Sequence, residues 1–215
     1  YNNRPRLLMD GATTVTVAVT AADVTIRNIV FASGHLLIAT GIDVTAVGCT
    51  IDQCEFADNT TAENWGVPVK ATGAANTADG LKITNCRWVP LVATVNSLDF
   101  LDITDDIRDL VVEDNFIVHE GTNSALVLQA GTKVMHCASI QRNFISTKMT
   151  AADLLIDNGG ATNSGIIAHN RIGNADVTGA QTGGAATGMR FFDNLYTSTA
   201  TESGALEPAA DTPLA

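Results

Sequence analysis

An eight-residue pattern of apolar and polar positions recurs seven times along the chain. Its first and third positions are mostly apolar, its second, fourth and fifth are mostly polar, and its eighth is apolar again. The seven copies are VTIRNIVF (24–31), CTIDQCEF (49–56), LKITNCRW (81–88), LVVEDNFI (110–117), ASIQRNFI (138–145), GIIAHNRI (165–172) and MRFFDNLY (189–196). Successive copies start 25, 32, 29, 28, 27 and 24 residues apart. Such a period is typical of a repeat array in which each unit buries its apolar face against its neighbours.

The alternation at the start of each copy predicts a short strand with one buried face. A turn between positions four and six would then restore the inward direction at position eight. Position six is often asparagine, which suits a turn because it tolerates left-handed backbone. The last four copies carry Asn115, Asn143, Asn170 and Asn194 at this position. We predict that these four form a structural ladder, with amides bonded to one another along the stack.

Shorter apolar runs between the copies predict at least one further strand per repeat. These runs are HLLIA (35–39), GVPVK (66–70), FLDI (100–103), ALVLQ (125–129) and DLLI (153–156). Helical spacing of apolar residues is absent from the sequence, and valine, isoleucine and threonine are abundant. We therefore predict an all-β, single-stranded parallel β-helix with three short sheets and about seven coils of 24–32 residues. The β-helix domain is predicted over residues 1–197, and residues 198–215 are predicted to form a surface or contact tail.

The formal net charge is −11. An acidic surface repels phosphate, so we expect no nucleic-acid partner. The sequence has no run of about 18 apolar residues, so we expect no membrane span. Its four cysteines show neither a C-x-x-C motif nor a Cys/His metal pattern, so we expect no metal and no cofactor. Cys54 and Cys86 share position six on consecutive copies. They could be two buried free thiols or could form a disulfide.

The densest group of acidic residues is the candidate for chemistry. It comprises Asp99, Asp102, Asp105, Asp106, Asp109, Glu113 and Asp114. Two carboxylates about 5 to 9.5 Å apart could hydrolyse a glycosidic bond as acid and base or nucleophile. The weak candidates for that role are Asp102, Asp105, Asp106 and Asp109. Solvated acids or a cation site are the alternative interpretation, and no catalytic residue is assigned.

Histidines and aromatic residues do not strengthen the catalytic interpretation. The histidines are scattered without a catalytic spacing, at His35, His119, His136 and His169. His169 falls at position five and is expected on the surface. Trp88 and Tyr196 fall at position eight and are expected inside, which leaves Trp65 as the sole indole expected on the surface. A sugar groove would need more exposed rings than this.

Three segments of the chain resemble a group of bacteriophage virion proteins. These are NRPR (3–6), AADVTIRNIVF (21–31) and CTIDQCEF (49–56), and the end NLY (194–196) with its Ala/Glu/Asp/Pro tail is also similar. That group has right-handed parallel β-helix folds related to pectate lyases and tailspikes. The resemblance implies a right-handed fold, an N-terminal part preceding Tyr1 that carries the first turn or two, and assembly on a particle, often as a trimer. The polygalacturonase-like branch carries a catalytic set of which only Asp105-Asp106 matches here, so that set is not carried over.

The leading hypothesis is a structural component of a phage particle: a decoration, fibre or tail-appendage subunit located on the virion. Its expected partners are further copies of itself, with a trimer favoured, and other virion proteins. The first alternative is a spike that binds or depolymerises a surface polysaccharide, with the acidic stretch as its groove. The second alternative is a secreted bacterial adhesin module.

Overall fold

The computed structural model describes residues 4–60, 63–90, 99–119, 127–129, 133–147, 156–157, 163–174, 182–183 and 188–198. All regular structure in these ranges is β. The strands are β1 (Arg6–Met9), β2 (Val17–Val19), β3 (Thr25–Arg27), β4 (Val30–Ser33), β5 (Ile38–Val44), β6 (Thr50–Asp52), β7 (Glu55–Asp58), β8 (Trp65–Ala71), β9 (Lys82–Thr84), β10 (Arg87–Val89), β11 (Leu101–Ile103), β12 (Ile107–Arg108), β13 (Val111–Glu113), β14 (Phe116–His119), β15 (Val127–Gln129), β16 (Met135–His136), β17 (Ala138–Gln141), β18 (Phe144–Thr147), β19 (Ile156–Asp157), β20 (Gly165–Ala168), β21 (Arg171–Asn174), β22 (Thr182–Gly183), β23 (Met189–Phe192) and β24 (Leu195–Ser198).

Three parallel sheets make up the body of the molecule. Sheet A has the strand order β1-β4-β7-β10-β14-β18-β21-β24, sheet B has β15-β11-β8-β5-β2, and sheet C has β23-β20-β17-β13-β9-β6-β3. The chain runs from sheet B to sheet C to sheet A and returns to sheet B, so each circuit adds one strand to each sheet. This winding is a parallel β-solenoid, as predicted.

The number of complete turns is lower than predicted. All three sheets are present together over about five turns, because sheet B has five strands among the described residues. The later segments β19 and β22 pair with each other in a separate two-stranded sheet. The seven copies still form the strands of sheets C and A throughout. The right-handed winding implied by the resemblance stays a prediction.

Identical positions of the copies lie directly above one another. At position eight, Phe31 pairs with Phe56, Phe56 with Trp88, and Trp88 with Ile117. Positions one, three, six and eight point inward, and from the second copy onwards nearly all of their described side chains are buried. The Phe56 ring lies 5.4 Å from Phe31, 5.9 Å from Trp65 and 6.0 Å from Phe100 between centroids. The alternation in the sequence therefore identifies the core of sheets A and C.

Position five makes the bend between sheet C and sheet A. Its residue has φ between 53° and 59° in all seven copies, namely Asn28, Gln53, Asn85, Asp114, Arg142, His169 and Asp193. Because positions four and five both point outward, the inward–outward alternation shifts by one residue. Positions six and eight therefore point inward. The prediction that the asparagine of position six suits the left-handed conformation is therefore wrong, because position five adopts it. The backbone N–H of Asn85 donates to Glu113 of the next turn at 3.1 Å, so the bend leaves this group satisfied.

A second left-handed bend lies just before position one, between sheets B and C. Asp23, Gly48, Gly80, Asp109 and Cys137 occupy it with φ between 53° and 71°. Glycine and aspartate are common there because a left-handed residue favours either no Cβ or a short polar side chain. The two bends lie at fixed positions of the pattern. The segment between them therefore has the same length in each of these copies.

Candidate functional site

The candidate catalytic acids are spread around one outer corner of the solenoid. Asp102 lies in β11 of sheet B, and Asp105 and Asp106 follow it on the bend towards sheet C. Asp109 occupies the left-handed position before β13 and is exposed. Asp105 and Asp106 line a small concavity at this corner, and Asp102 and Asp109 are not part of its lining.

Most of these carboxylates bind a group on a neighbouring turn. Asp102 lies 3.3 Å from the Lys70 ammonium group of the preceding turn. Asp105 accepts a hydrogen bond from Lys133 at 2.8 Å, and Asp106 accepts one from the backbone N–H of Val134 at 2.8 Å. These bonds join turns that lie one strand spacing apart. The acids therefore have an architectural role that does not require catalysis.

The contact between Asp105 and Lys133 changes the acidity of both groups. The hydrogen bond from Lys133, assisted by the backbone N–H of Asp106, lowers the pKa of the Asp105 carboxyl. The same hydrogen bond raises the pKa of Lys133. Since the folded-state pKa of Asp105 is lower than its unfolded value, this contact favours folding above the ordinary aspartate pKa. The contribution is lost as the pH falls through the folded-state pKa.

Replacing Lys133 by alanine should therefore raise the pKa of the Asp105 carboxyl towards its ordinary value. The titration can be followed by NMR of the side-chain carboxyl carbon. Lys70→Ala is the matched control, because Lys70 pairs with Asp102, and it should leave the Asp105 titration unchanged. An unchanged Asp105 pKa in the Lys133→Ala protein would contradict the assigned ion pair.

A second polar cluster lies on the outer face of sheet C. Arg142 binds Asp114 through two nitrogens at 2.9 Å each and binds Glu113 at 2.6 Å. These bonds raise the pKa of Arg142 above its ordinary value. Ser139 donates to Glu113 at 2.5 Å, and Gln141 donates to Ser139 at 2.7 Å. Glu113 is thus held by a guanidinium and a hydroxyl and is not positioned as a free base.

The concavity at the acidic corner is too small for a sugar. It is lined by Ala71, Thr72, Ala74, Thr77, Ala78, Ile103, Asp105, Asp106 and Ile107, and its volume is about 10 Å³. That space holds about one water molecule, whereas small-molecule sites span hundreds of cubic ångströms. Within the described ranges, no three His, Cys, Asp or Glu side chains are grouped as metal ligands would be. In the same ranges, no helix has the length and hydropathy of a membrane span.

Neither tryptophan offers a stacking surface for a sugar. Trp88 is buried as predicted, but the expectation that Trp65 lies on the surface is wrong. Trp65 begins β8, packs edge-on against Phe56 and donates its indole N–H to Ala57 O at 3.2 Å. The side chain of Tyr196 lies outside the described residues. His169 is exposed at position five, as expected, 3.7 Å from Asp193.

The asparagines at position six pair inside the solenoid. The Asn143 side-chain amide N–H donates to Val112 O at 2.9 Å and to Asn170 Oδ1 at 3.0 Å. Its Oδ1 accepts the backbone N–H and the side-chain N–H of Asn115, both at 3.0 Å. Asn170 and Asn194 repeat this arrangement one turn further on. The four asparagines therefore satisfy buried backbone groups at the bend, which is a structural function.

Cysteines occupy position six in the second and third copies. The Cys54 thiol lies 3.6 Å from Ile26 O and the Cys86 thiol 3.6 Å from Ile51 O, where the asparagine amides donate in later turns. Cys86 N–H donates to Asn115 Oδ1 at 2.8 Å, so the two kinds of residue form one column. Both thiols are free and buried, which answers the open question of a disulfide. The neighbouring Cys54 thiol, together with burial, raises the pKa of the Cys86 thiol.

Position seven forms an outward row on sheet A that the sequence did not identify as functional. We call this row, with its partner Arg6 on β1, the outer row. It comprises Arg6, Val30, Glu55, Arg87, Phe116, Phe144, Arg171 and Leu195. Phe116 and Phe144 are each 40% exposed and Leu195 is 49% exposed. In the sequence, only Phe116 and Phe144 on neighbouring copies pointed to this row. Position seven as a whole has no consistent residue type.

Comparisons with protein-family models, with curated proteins and with solved structures find no match to the chain.

Proposed function

We propose that this chain is a structural component of a bacteriophage particle, a decoration, fibre or tail-appendage subunit that supplies a rigid surface and subunit contacts. The main support for the proposal is that the acidic residues bind neighbouring turns of the solenoid. Asp102, Asp105 and Asp106 bind groups of adjacent turns, and the adjoining concavity has room for about one water molecule. The residues that looked most catalytic hold the scaffold together.

Rigidity is the second support for this role. The parallel ladders are continuous through sheets A and C, and the position-six column satisfies buried groups along four consecutive copies. Each turn thus contacts its neighbours through backbone, core and buried amides together. A stack of this kind suits a protein that must present a fixed surface outside a cell. The assignment to a phage particle rests on the sequence resemblance to virion proteins.

The spike that binds or depolymerises polysaccharide is the alternative from a different class. Sugars stack on the faces of aromatic rings, and both tryptophans are buried. We expect no shortening when the purified protein is incubated with capsular polysaccharide and the product is sized by gel filtration. Shortening by the wild-type protein that is lost in an Asp102→Asn/Asp105→Asn/Asp106→Asn/Asp109→Asn protein would support the enzyme and contradict the structural proposal.

The particle itself gives the positive test. Phage particles purified from the organism that carries the gene should contain the chain at a fixed ratio to the major capsid protein, measured by quantitative mass spectrometry. Immunogold labelling with antibody against the chain should mark one defined part of the particle. Recovery of the chain only in the cell envelope or culture supernatant would instead support the adhesin module.

The tail predicted over residues 198–215 lies, apart from Ser198, outside the described residues. Its assignment as a contact segment stays a proposal.

A further inference from the structure

The outer row contains two exposed phenylalanines on neighbouring strands. Among the described residues, seven large apolar side chains are exposed, and three of them lie in the outer row, at Phe116, Phe144 and Leu195. Phe116 and Phe144 are adjacent, and adjacent exposed apolar residues mark interaction sites more often than isolated ones do. The eight residues of the outer row span about 34 Å along the stack, which is seven strand spacings.

The geometry of the two phenylalanines favours a protein partner over a sugar. Phe116 and Phe144 stack with centroids 4.7 Å apart and ring planes within 4°. The Arg87 guanidinium carbon lies 5.8 Å from the centroid of the Phe116 ring, and Arg171 is the register neighbour of Phe144. Because Phe144 and Arg87 both lie over the Phe116 ring, its edge is the part that mainly meets solvent. Aromatic edges beside arginines are typical of the centres of protein interfaces.

The charge of the outer row is opposite to that of the whole chain. The row carries three arginines against Glu55, although the net charge of the chain is −11. Arg87 binds Glu55 at 3.0 Å, and Arg6 donates to Asn59 at 2.6 Å. Arg171 is exposed and has no ion pair or side-chain hydrogen bond with any described residue. A partner surface that is acidic would therefore be attracted to this row.

Such an acidic surface exists on the same chain. The bend between sheets B and C, which we call the acidic bend, carries five aspartates against Arg108 and Lys133. The aspartates are Asp23, Asp79, Asp105, Asp106 and Asp109. In a three-sided solenoid the corner between sheets B and C is the one corner that does not adjoin sheet A. One molecule therefore cannot place its own acidic bend against its own outer row.

We propose that the outer row of one copy docks on the acidic bend of a second copy. This inference rests on the proposed structural function and names its subunit contact. Because the two surfaces differ, the contact is heterologous: it closes a ring when the rotation between copies closes and otherwise grows a fibre. Each copy would bury the exposed phenylalanine edges and pair Arg171 with an aspartate of its neighbour.

Sedimentation velocity over a concentration series tests this contact. The wild-type protein should associate with concentration, and added salt should weaken the association because it screens the charges. Arg171→Glu should raise the dissociation constant about tenfold or more, since it places like charges together. Asp23→Asn/Asp109→Asn should weaken association in the same direction. Asparagine keeps both left-handed bends, so this second variant tests the charge with the fold retained.

Arg190→Glu is the matched control. Arg190 is also exposed and also lacks a side-chain partner among the described residues, but it lies on sheet C. It should leave the dissociation constant unchanged. The inference is overturned by a monomeric wild-type protein at every concentration, by association that neither interface variant weakens, or by an equal effect of Arg190→Glu. Detection of the chain on particles, despite such a result, would leave the proposed function standing and remove only this contact.

Discussion

Replacing Phe56 by alanine should lower the free energy of unfolding by about 3–5 kcal/mol. Phe56 is fully buried at position eight and meets Phe31, Trp65 and Phe100. Removing its ring leaves a cavity that its neighbours can fill only in part, because they are fixed by the parallel ladders on either side. Urea unfolding followed by circular dichroism measures the change.

Phe116→Ala is the matched control for this substitution. Phe116 sits at position seven, one position from the inward series, and is 40% exposed. The same chemical change there should lower the free energy of unfolding by about 1–2 kcal/mol, because it removes a partly exposed ring and its stacking on Phe144. Equal effects at Phe56 and Phe116 would contradict the assignment of inward and outward positions.

Replacing Asn143 by leucine should lower the free energy of unfolding by about 3 kcal/mol. The leucine can neither donate to Val112 O nor accept the two N–H groups of Asn115. Several buried polar groups would then lack partners at once, each at a cost of about 1–3 kcal/mol. Part of this cost is offset by the apolar surface that leucine buries.

Lys82→Leu is the control, because it introduces a leucine at an exposed position of the repeat pattern. Lys82 is exposed at position two, and its side chain has no hydrogen bond or ion pair with the described residues. Its replacement should change the free energy of unfolding by less than about 0.5 kcal/mol. Unchanged stability of the Asn143→Leu protein, measured in the same urea titration, would mean that the position-six amides do not stabilise the bend.

The sequence predicts the solenoid because the same side-chain pattern must be satisfied in every turn. Ile83 and Trp88 are correctly assigned to the core. Each stacks on the equivalent residues of both neighbouring turns and points inward as they do. Trp65 was assigned wrongly, because it lies between copies where no repeat fixes its direction. The number of complete turns was overestimated for the same reason, since sheet B is built from these unrepeated segments.

The site was harder to predict than the fold. Asparagine prefers left-handed backbone, and this preference pointed to position six, whereas position five adopts the conformation with residues as different as Gln53, Arg142 and His169. Position five is polar in every copy, and that uniform polarity was the signal for an outward bend. The outer row could not be recognised from residue type, because Arg87, Phe116 and Leu195 share only their register.

Electron cryo-microscopy of purified particles is the measurement that tests the structural function most directly. We expect density for the three-sheet solenoid attached to the particle. We also expect Phe116, Phe144 and Arg171 of one copy to be covered by the acidic bend of a neighbouring copy. Particles that lack the solenoid altogether, together with a monomeric protein that shortens a polysaccharide, would contradict the account.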